Sequence, residues 1–303
     1  MKKSWLCSFW CAVLALDPRT SGAESILVVK SQSSPPISQA MEGFRSVCNQ
    51  PAREVDLRGK ADSKEVINAL GAAKPDIIVA LGPQAAEAAR GNVGNLPLLF
   101  VMVSNPGKRG LEGKNIGGIA LNIPVFMQFT NYTNVVRNLK KLGVIYDETK
   151  TGDIIKEAKV EAEKIGIELA AISVSSQKAV ADALKTLVAQ KIDALWMVPD
   201  ETVVTPATFQ FLQKETARNK LPLLAVSEIF VEKGAFASLS VDYKDMGRQA
   251  GDIANQIIKN QQAAELKTFA PAKINLAVNL ETAGQLAGAV NEAAVKSASK
   301  TYR

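Results

Sequence analysis

The chain has 303 residues, 47% of them hydrophobic and 22% charged, a globular composition large enough for two domains of about 100–150 residues, each with its own core. Its 36 basic residues barely exceed its 30 acidic ones and stand singly along predicted helices, which excludes the concentrated basic footprint of a nucleic-acid partner. Histidine is absent, and with it go Ser-His-Asp and Cys-His catalysis and most transition-metal sites; no catalytic residue, metal or cofactor is assigned.

Lys2 and Lys3 precede an apolar run from Trp5 to Leu16 that is too short to span a bilayer, and Ser21-Gly22-Ala23 offers small residues to a signal peptidase. Residues 1–23 therefore read as a signal peptide, with a mature start at Glu24 and a periplasmic destination. Leu6 before Cys7 and Trp10 before Cys11 are too large for a lipid-attachment site, which favours a soluble exported protein over a lipoprotein. Cleavage leaves Cys48 alone, so no internal disulfide forms and burial must stabilise the fold.

Ser25 to Lys30 reads as a buried strand, followed by a polar turn from Ser31 to Pro36 and a helix from Ile37 to Cys48. Two more such units follow: strand Arg53 to Leu57 with helix Ser63 to Ala72, and strand Asp76 to Leu81 with helix Ala85 to Arg90. Leu96 to Val103 is a fourth strand, Gly107 to Gly118 reads as a surface loop, and Ile119 to Ile123 leads across to new material. Successive strand–helix units imply a parallel sheet with right-handed crossovers.

From Pro124 the pattern restarts with a helix through Lys141, strand Gly143 to Tyr146, helix Gly152 to Ile165 and strand Ile167 to Val174. Helix Lys178 to Gln190, strand Ala194 to Val198, helix Val203 to Asn219 and strand Leu221 to Val226 come next. Ala235 to Val241 is a strand that delivers Asp242 to the start of a helix with an apolar face of Met246, Ala250, Ile253, Ala254, Ile257 and Ile258. A polar linker, strand Ala272 to Val278, a helix from Glu281 into the 290s and a fraying tail complete the chain.

The expected fold class is α/β, with two doubly wound, Rossmann-like lobes whose parallel sheets are joined by several hinge crossings. Residues 24–121 with about 243–270 form the first lobe, 122–242 with about 271–295 the second, and 296–303 a flexible tail.

Ligands of open parallel sheets bind beyond the carboxyl ends of the strands. In the first lobe this singles out Ser31, Ser33 and Ser34, then Gly82, Pro83 and Gln84, then Ser104 and Asn105. In the second it singles out Tyr146, Asp147 and Thr151, then Asp200, Glu201 and Thr202, then Ser227 and Glu228, with Asp242 at the return. Hydroxyls, amides and glycine in the first lobe suit a carboxylate; the acidic second-lobe corners suit an ammonium group. A zwitterion facing the cleft satisfies both. Plain helix capping by Asp200, Glu201 or Asp242 is the competing reading; Gly82 serves close backbone approach, with simple turn making as its competing role. Asp200 and Glu201 are also an adjacent acidic pair at a strand end of the kind a carboxylate-dependent hydrolase would need.

Several stretches carry a resemblance: KLGVIYDETKTG (Lys141 to Gly152), DALWMVPDETVV (Asp193 to Val204), the run from Leu221 to Asn260 containing GAFASLSVDYKDMGRQAG, and INLAVNLETAGQLAG (Ile274 to Gly288). They resemble the substrate-binding proteins of ABC transporters, of the tryptophan/tyrosine-binding type. The resemblance implies the type I periplasmic-binding-protein fold, a monomer that closes on one small amino acid-like ligand, and delivery to an ABC permease in the inner membrane. Ser104-Asn105-Pro106 stands where that family usually has a Thr-Asp-Pro-like turn, and Ser33-Ser34 where larger residues are common, departures that bear on the ligand. A ligand-sensing subunit feeding a membrane histidine kinase is the alternative role.

Overall fold

A computed structural model of the chain describes residues 25–260 and 266–303; the expected signal peptide over 1–23 lies outside them. The first half runs β1 (Ile26–Lys30), α1 (Pro35–Val47), β2 (Ala52–Asp56), α2 (Ser63–Ala73), β3 (Ile77–Leu81), α3 (Pro83–Arg90), β4 (Leu98–Val103) and β5 (Ile116–Ala120). The second half runs α4 (Val125–Val135), β6 (Lys141–Tyr146), α5 (Glu148–Lys164), β7 (Glu168–Ser173), α6 (Val180–Ala189), β8 (Ala194–Trp196), α7 (Pro206–Arg218), β9 (Leu223–Ala225), α8 (Glu228–Glu232) and β10 (Ala237–Val241). It is followed by α9 (Tyr243–Asn260), β11 (Thr268–Phe269), β12 (Ile274–Asn279), α10 (Leu280–Gln285), α11 (Glu292–Lys296) and β13 (Lys300–Tyr302).

These strands make two sheets, ordered β11-β5-β4-β3-β1-β2 and β13-β12-β10-β9-β8-β6-β7. The first is parallel throughout. In the second, β12 runs antiparallel to β10 and β13 parallel to β12, so its last two strands oppose the rest. Helices cover both faces, which is why the strands are continuous apolar runs rather than alternating ones. On β1, Ile26 and Val28 join the core under α1 and α9, while Leu27 and Val29 join the core under α2 and α3. Similarly, Val144 and Tyr146 face the core with α4 and α5, and Ile145 the core with α6 and α7.

Among the described residues the chain passes between the sheets three times, at 121–124, 241–243 and 270–273. The second passage is fixed by α9, which leaves the second sheet and packs on α1 of the first lobe. Met246, Ala250, Ala254 and Ile257 are buried there, and a buried Ile or Met contributes about 1.5–3 kcal/mol. Glycines let the two backbones touch. A Cβ on Gly43 would collide with the Lys244 carbonyl, and one on Gly247 with the Ala40 carbonyl. Lys244 pairs with Glu42, and the Asn255 side chain donates to the Val47 carbonyl at 3.0 Å.

Several elements differ from the sequence reading. The helix expected through Lys141 stops at Val135, and the stretch read as surface loop to Gly118 already contains β5. The short α8 and β11 lie where no element was expected, and the helix expected from Glu281 into the 290s is split into α10 and α11 around Gly288, whose φ is +94°. The tail expected to fray ends instead in β13, with Lys300 opposite Ala277 and Tyr302 opposite Asn279; sheet pairing, which needs no apolar content of its own, orders it.

Replacing Gly247 by valine is expected to cost at least about 1–3 kcal/mol in denaturant unfolding, because the α1–α9 contact has no room for a side chain. Gly71 gives the control. It is exposed inside α2 with nothing near the position of an added Cβ, so Gly71→Ala is expected to stabilise by roughly 0.5–1 kcal/mol.

Candidate functional site

The carboxyl ends of the parallel strands in both sheets border a cleft of about 1380 Å³ between the lobes. Of the seventeen residues proposed from the sequence, Asn105, Ser227, Glu228 and Asp242 line it; Ser31, Ser33, Ser34, Gly82, Pro83, Gln84, Ser104, Tyr146, Asp147, Thr151, Asp200, Glu201 and Thr202 do not.

The first-lobe corners away from the cleft wall hold the scaffold together. Ser31 Oγ is buried and accepts the Ala85 N–H at 3.0 Å, fastening the end of β1 to the start of α3. Gly82 makes this possible: its φ is +90°, and a Cβ there would lie 2.6 Å from Ser31 Oγ. Close approach within the protein is thus its role, with Pro83 opening α3 and Gln84 half-buried behind it. Ser33 Oγ donates to Asp56 Oδ2 at 2.5 Å, and Ser34 precedes α1 without a side-chain cap bond. The Ser104 carbonyl accepts from Arg109 Nε at 3.1 Å. Asn105, at φ +49°, does reach the cleft, where its N–H donates to Asn122 Oδ1 at 2.7 Å and its own Oδ1 accepts from Asn122 Nδ2 at 3.2 Å.

In the second lobe the acidic corner after β8 is closed on itself. Asp200 is 1% exposed. Its Oδ2 accepts from Asp147 N at 2.7 Å and Thr151 Oγ1 at 2.6 Å, and its Oδ1 from Thr202 N at 2.9 Å and Val203 N at 3.1 Å. Four donors fill the lone-pair positions of a carboxylate. Asp200 therefore ties the β6–α5 corner to the β8 corner, and does not present a seat for an ammonium group. Asp147 answers it by accepting from Thr149 and from Thr202 Oγ1 at 2.8 Å; these bonds hold its carboxyl below the usual range. Glu201 points to solvent beside Lys150, 3.7 Å away. With one carboxylate buried and the other exposed, the adjacent pair does not flank a common substrate bond. Tyr146 is buried among the core residues of β6.

The cleft itself is built largely from the crossings. Asn122, Ile123 and Pro124 come from the first, Asp242 and Tyr243 from the second, and Thr268, Phe269 and Ala270 from the approach to the third. Trp196, the last residue of β8, forms part of the wall; its indole N–H donates to Gln128 Oε1 at 3.2 Å, and its ring meets Phe129 edge-on at 5.0 Å. Phe269 and Ile229 remain 39% and 59% exposed despite their apolar side chains, so the cleft offers uncovered apolar surface at either side.

Its polar end lies at β10 and α8. Asp242 Oδ1 accepts the Asp245 N–H at 3.0 Å, as a helix cap would, while Oδ2 lies 2.7 Å from Lys273 Nζ. Glu228 Oε1 accepts from Ser240 Oγ at 2.8 Å, and Oε2 from Lys300 Nζ at 2.8 Å and Tyr302 O–H at 3.1 Å. Burial alone would raise both carboxyls. For Glu228 the bonds from Lys300, Ser240 and Tyr302 prevail, and for Asp242 the Lys273 bond and charge do, so both are held low. Burial, aided by the Glu228 charge, pushes the Tyr243 phenol up.

Asn122, Gln128, Trp196, Tyr243, Phe269 and Lys300 were not among the sequence candidates. The first and fourth follow from treating each lobe crossing as a binding element as well as a hinge. Lys300 had no such signal, because a three-residue strand at the end of a polar tail leaves no pattern.

A family model described as ABC transporter substrate binding protein matches residues 57–302. The chain belongs to this family. A curated tyrosine-binding protein from Clostridioides difficile (strain R20291) is 25% identical over 217 residues, 69% of this chain and 62% of that protein; the substrate-binding chain described here thus spans about 62% of that relative's length. Among solved structures, the ligand-free, open form of a substrate-binding protein with adhesive properties from Clostridium difficile superposes with a TM-score of 0.69 at 20% identity, covering 86% of this chain and 94% of the other. An ABC domain from Streptococcus pneumoniae in complex with L-Trp gives 0.50 at 21% identity, covering 91% and 99%. The fold is that of the type I periplasmic binding proteins.

Removing the Asp200 carboxylate is expected to unfold rather than merely blind the protein. Asp200→Ala should cost about 2–3 kcal/mol in denaturant unfolding, since three buried N–H groups lose a charged acceptor, whereas Glu201→Ala should change stability by less than about 0.5 kcal/mol. The depressed Glu228 carboxyl contributes stability above the ordinary carboxylate range, and that contribution is lost as pH falls through its lowered value. Thermal unfolding of Glu228→Gln should accordingly fall less steeply below about pH 4 than that of the parent.

Proposed function

We propose that this substrate-binding protein captures an amino acid, of aromatic type, in the interlobe cleft and hands it to an ABC permease in the inner membrane after export to the periplasm. The observation that carries the reading is the character of the cleft wall. Among the described residues, Glu157, Glu228 and Asp242 place three carboxylates along it against the ammonium of Lys300 and that of Lys273, 2.7 Å from Asp242, and beside the buried rings of Trp196 and Tyr132 it has the half-buried Tyr243 and the exposed Phe269. The surplus of one carboxylate favours a ligand with a cationic group, and the uncovered rings of Tyr243 and Phe269 favour a flat apolar body. The tyrosine-binding relative and the L-Trp complex are consistent with that pairing.

The wall draws on both sheets, so a ligand touching both favours the closed arrangement over the open one by its differential contacts. No bond is made or broken. As a monomeric receptor it requires no cofactor, and its output is the closed form presented to the membrane.

Trp196 supplies the test, because it is the one tryptophan among the described residues and lines the cleft. The protein, unfolded and refolded to remove carried ligand, is titrated with L-tyrosine and L-phenylalanine while indole emission is followed, and with L-tryptophan by calorimetry. Saturable binding at micromolar concentration or below is expected, with a rise in melting temperature as ligand exceeds its dissociation constant. Calorimetry is repeated for L-tyrosine and L-phenylalanine, and absence of saturable binding by all three amino acids would falsify the reading.

A further inference from the structure

Among the described residues, the one cationic side chain that lines the cleft, Lys300, stands on β13. β13 lies along β12 at the edge of the second sheet, and from there Lys300 reaches Glu228 at the start of α8. Its Nζ is 2.8 Å from Glu228 Oε2 and 5.0 Å from the centre of the Tyr302 ring. Tyr302 donates to the same carboxylate oxygen, and Ser240 to the other. The ammonium is thus held in place from below, yet its side chain is 56% exposed and lines the cleft. An ammonium carries three N–H donors. Glu228 takes one, which leaves a donor for a ligand.

The first-lobe hydroxyls that would otherwise receive an anion, those of Ser31, Ser33, Ser34 and Ser104, do not line the cleft, and that of Ser33 is spent on Asp56. We infer that Lys300, positioned by Glu228 and Tyr302, is the seat of the ligand's carboxylate, so that the C-terminal strand makes the protein selective for amino acids over the corresponding amines. Asp242, the residue after β10, lines the same cleft and would take the ammonium group in exchange with Lys273, which lies 2.7 Å from its Oδ2. The inference rests on the proposed function and names which group of the ligand meets which charge. A fixed cation on a carboxylate is a charge-assisted contact whose loss is expected to weaken binding at least about tenfold.

Calorimetric titration of the full chain with L-tyrosine, L-tryptophan, tyramine and tryptamine tests it. The parent is expected to bind each amino acid at least about tenfold more tightly than its decarboxylated amine. Lys300→Met should erase that difference by weakening the amino acids alone, and Lys300→Arg should restore most of it. Tyr302→Phe, which removes the pinning hydroxyl and keeps the charge, should weaken the amino acids by a smaller factor. Thermal unfolding of each variant reports folding separately. Amino-acid binding by Lys300→Met equal to that of the parent overturns the inference while leaving the receptor reading intact. Tighter amine binding by Lys300→Met also overturns it, since Lys300 would then be a stand-in for the ligand's own ammonium on Glu228. A parent that binds none of the four compounds overturns the receptor reading and this inference with it.

Discussion

The contact on which this molecule depends is the backbone-to-backbone crossing of α9 on α1. Strand β10 belongs to the second sheet, and α9, which follows it after a single residue, belongs to the first. The chain must therefore cross the cleft at Asp242, and only a tight anchorage of α9 keeps that crossing in one place. Gly43 and Gly247 supply it by letting each helix approach the other's carbonyls. Such proximity increases dispersion contact over the whole helix face, but it leaves no tolerance for a larger residue. The position of Asp242 and Tyr243 in the cleft wall is a direct consequence.

Polar groups in the second lobe divide into those that are satisfied within the protein and those that still face the cleft. The Asp147–Thr202–Asp200–Thr151 cluster belongs to the first kind. Its carboxylates accept backbone and hydroxyl donors from both corners, and a buried carboxylate is stable only when so surrounded. This rigid corner is what lets β8 present Trp196 at a fixed height. Glu228 and Asp242 belong to the second kind, each already paired with a lysine yet lining the cleft. Their ion pairs are partly solvated, so they add little to stability and their value lies in setting the charge of the wall.

This division explains how far the sequence could be read. The α/β alternation and the doubly wound lobes were visible because strands such as DIIVAL and LPLLFVMV are buried on both faces and announce themselves by continuous apolar runs. The corners were visible too, since topology alone puts ligands at strand carboxyl ends. Which corner residues face the cleft was not visible, because that depends on partners far along the chain: Asp200 is occupied by the N–H of Asp147, 53 positions away. β5 was hidden by Gly117 and Gly118, which read as loop but are required where the strand backbone passes Phe100 and Leu266 without room for a Cβ. β13 was hidden because an edge strand of three residues borrows its order from β12.

The placement of the crossings in the wall has a mechanical consequence. Apart from them, the two lobes are separate bodies with separate cores on separate sheets. A ligand bound as proposed would contact the segments 121–124 and 241–243 themselves, where the backbone must bend if the lobes are to move, and so would act on the crossings as well as bridge the lobes. Asn122 and Tyr243 stand at these crossings, and the reciprocal amide pair of Asn122 with Asn105 ties the first crossing back to the end of β4.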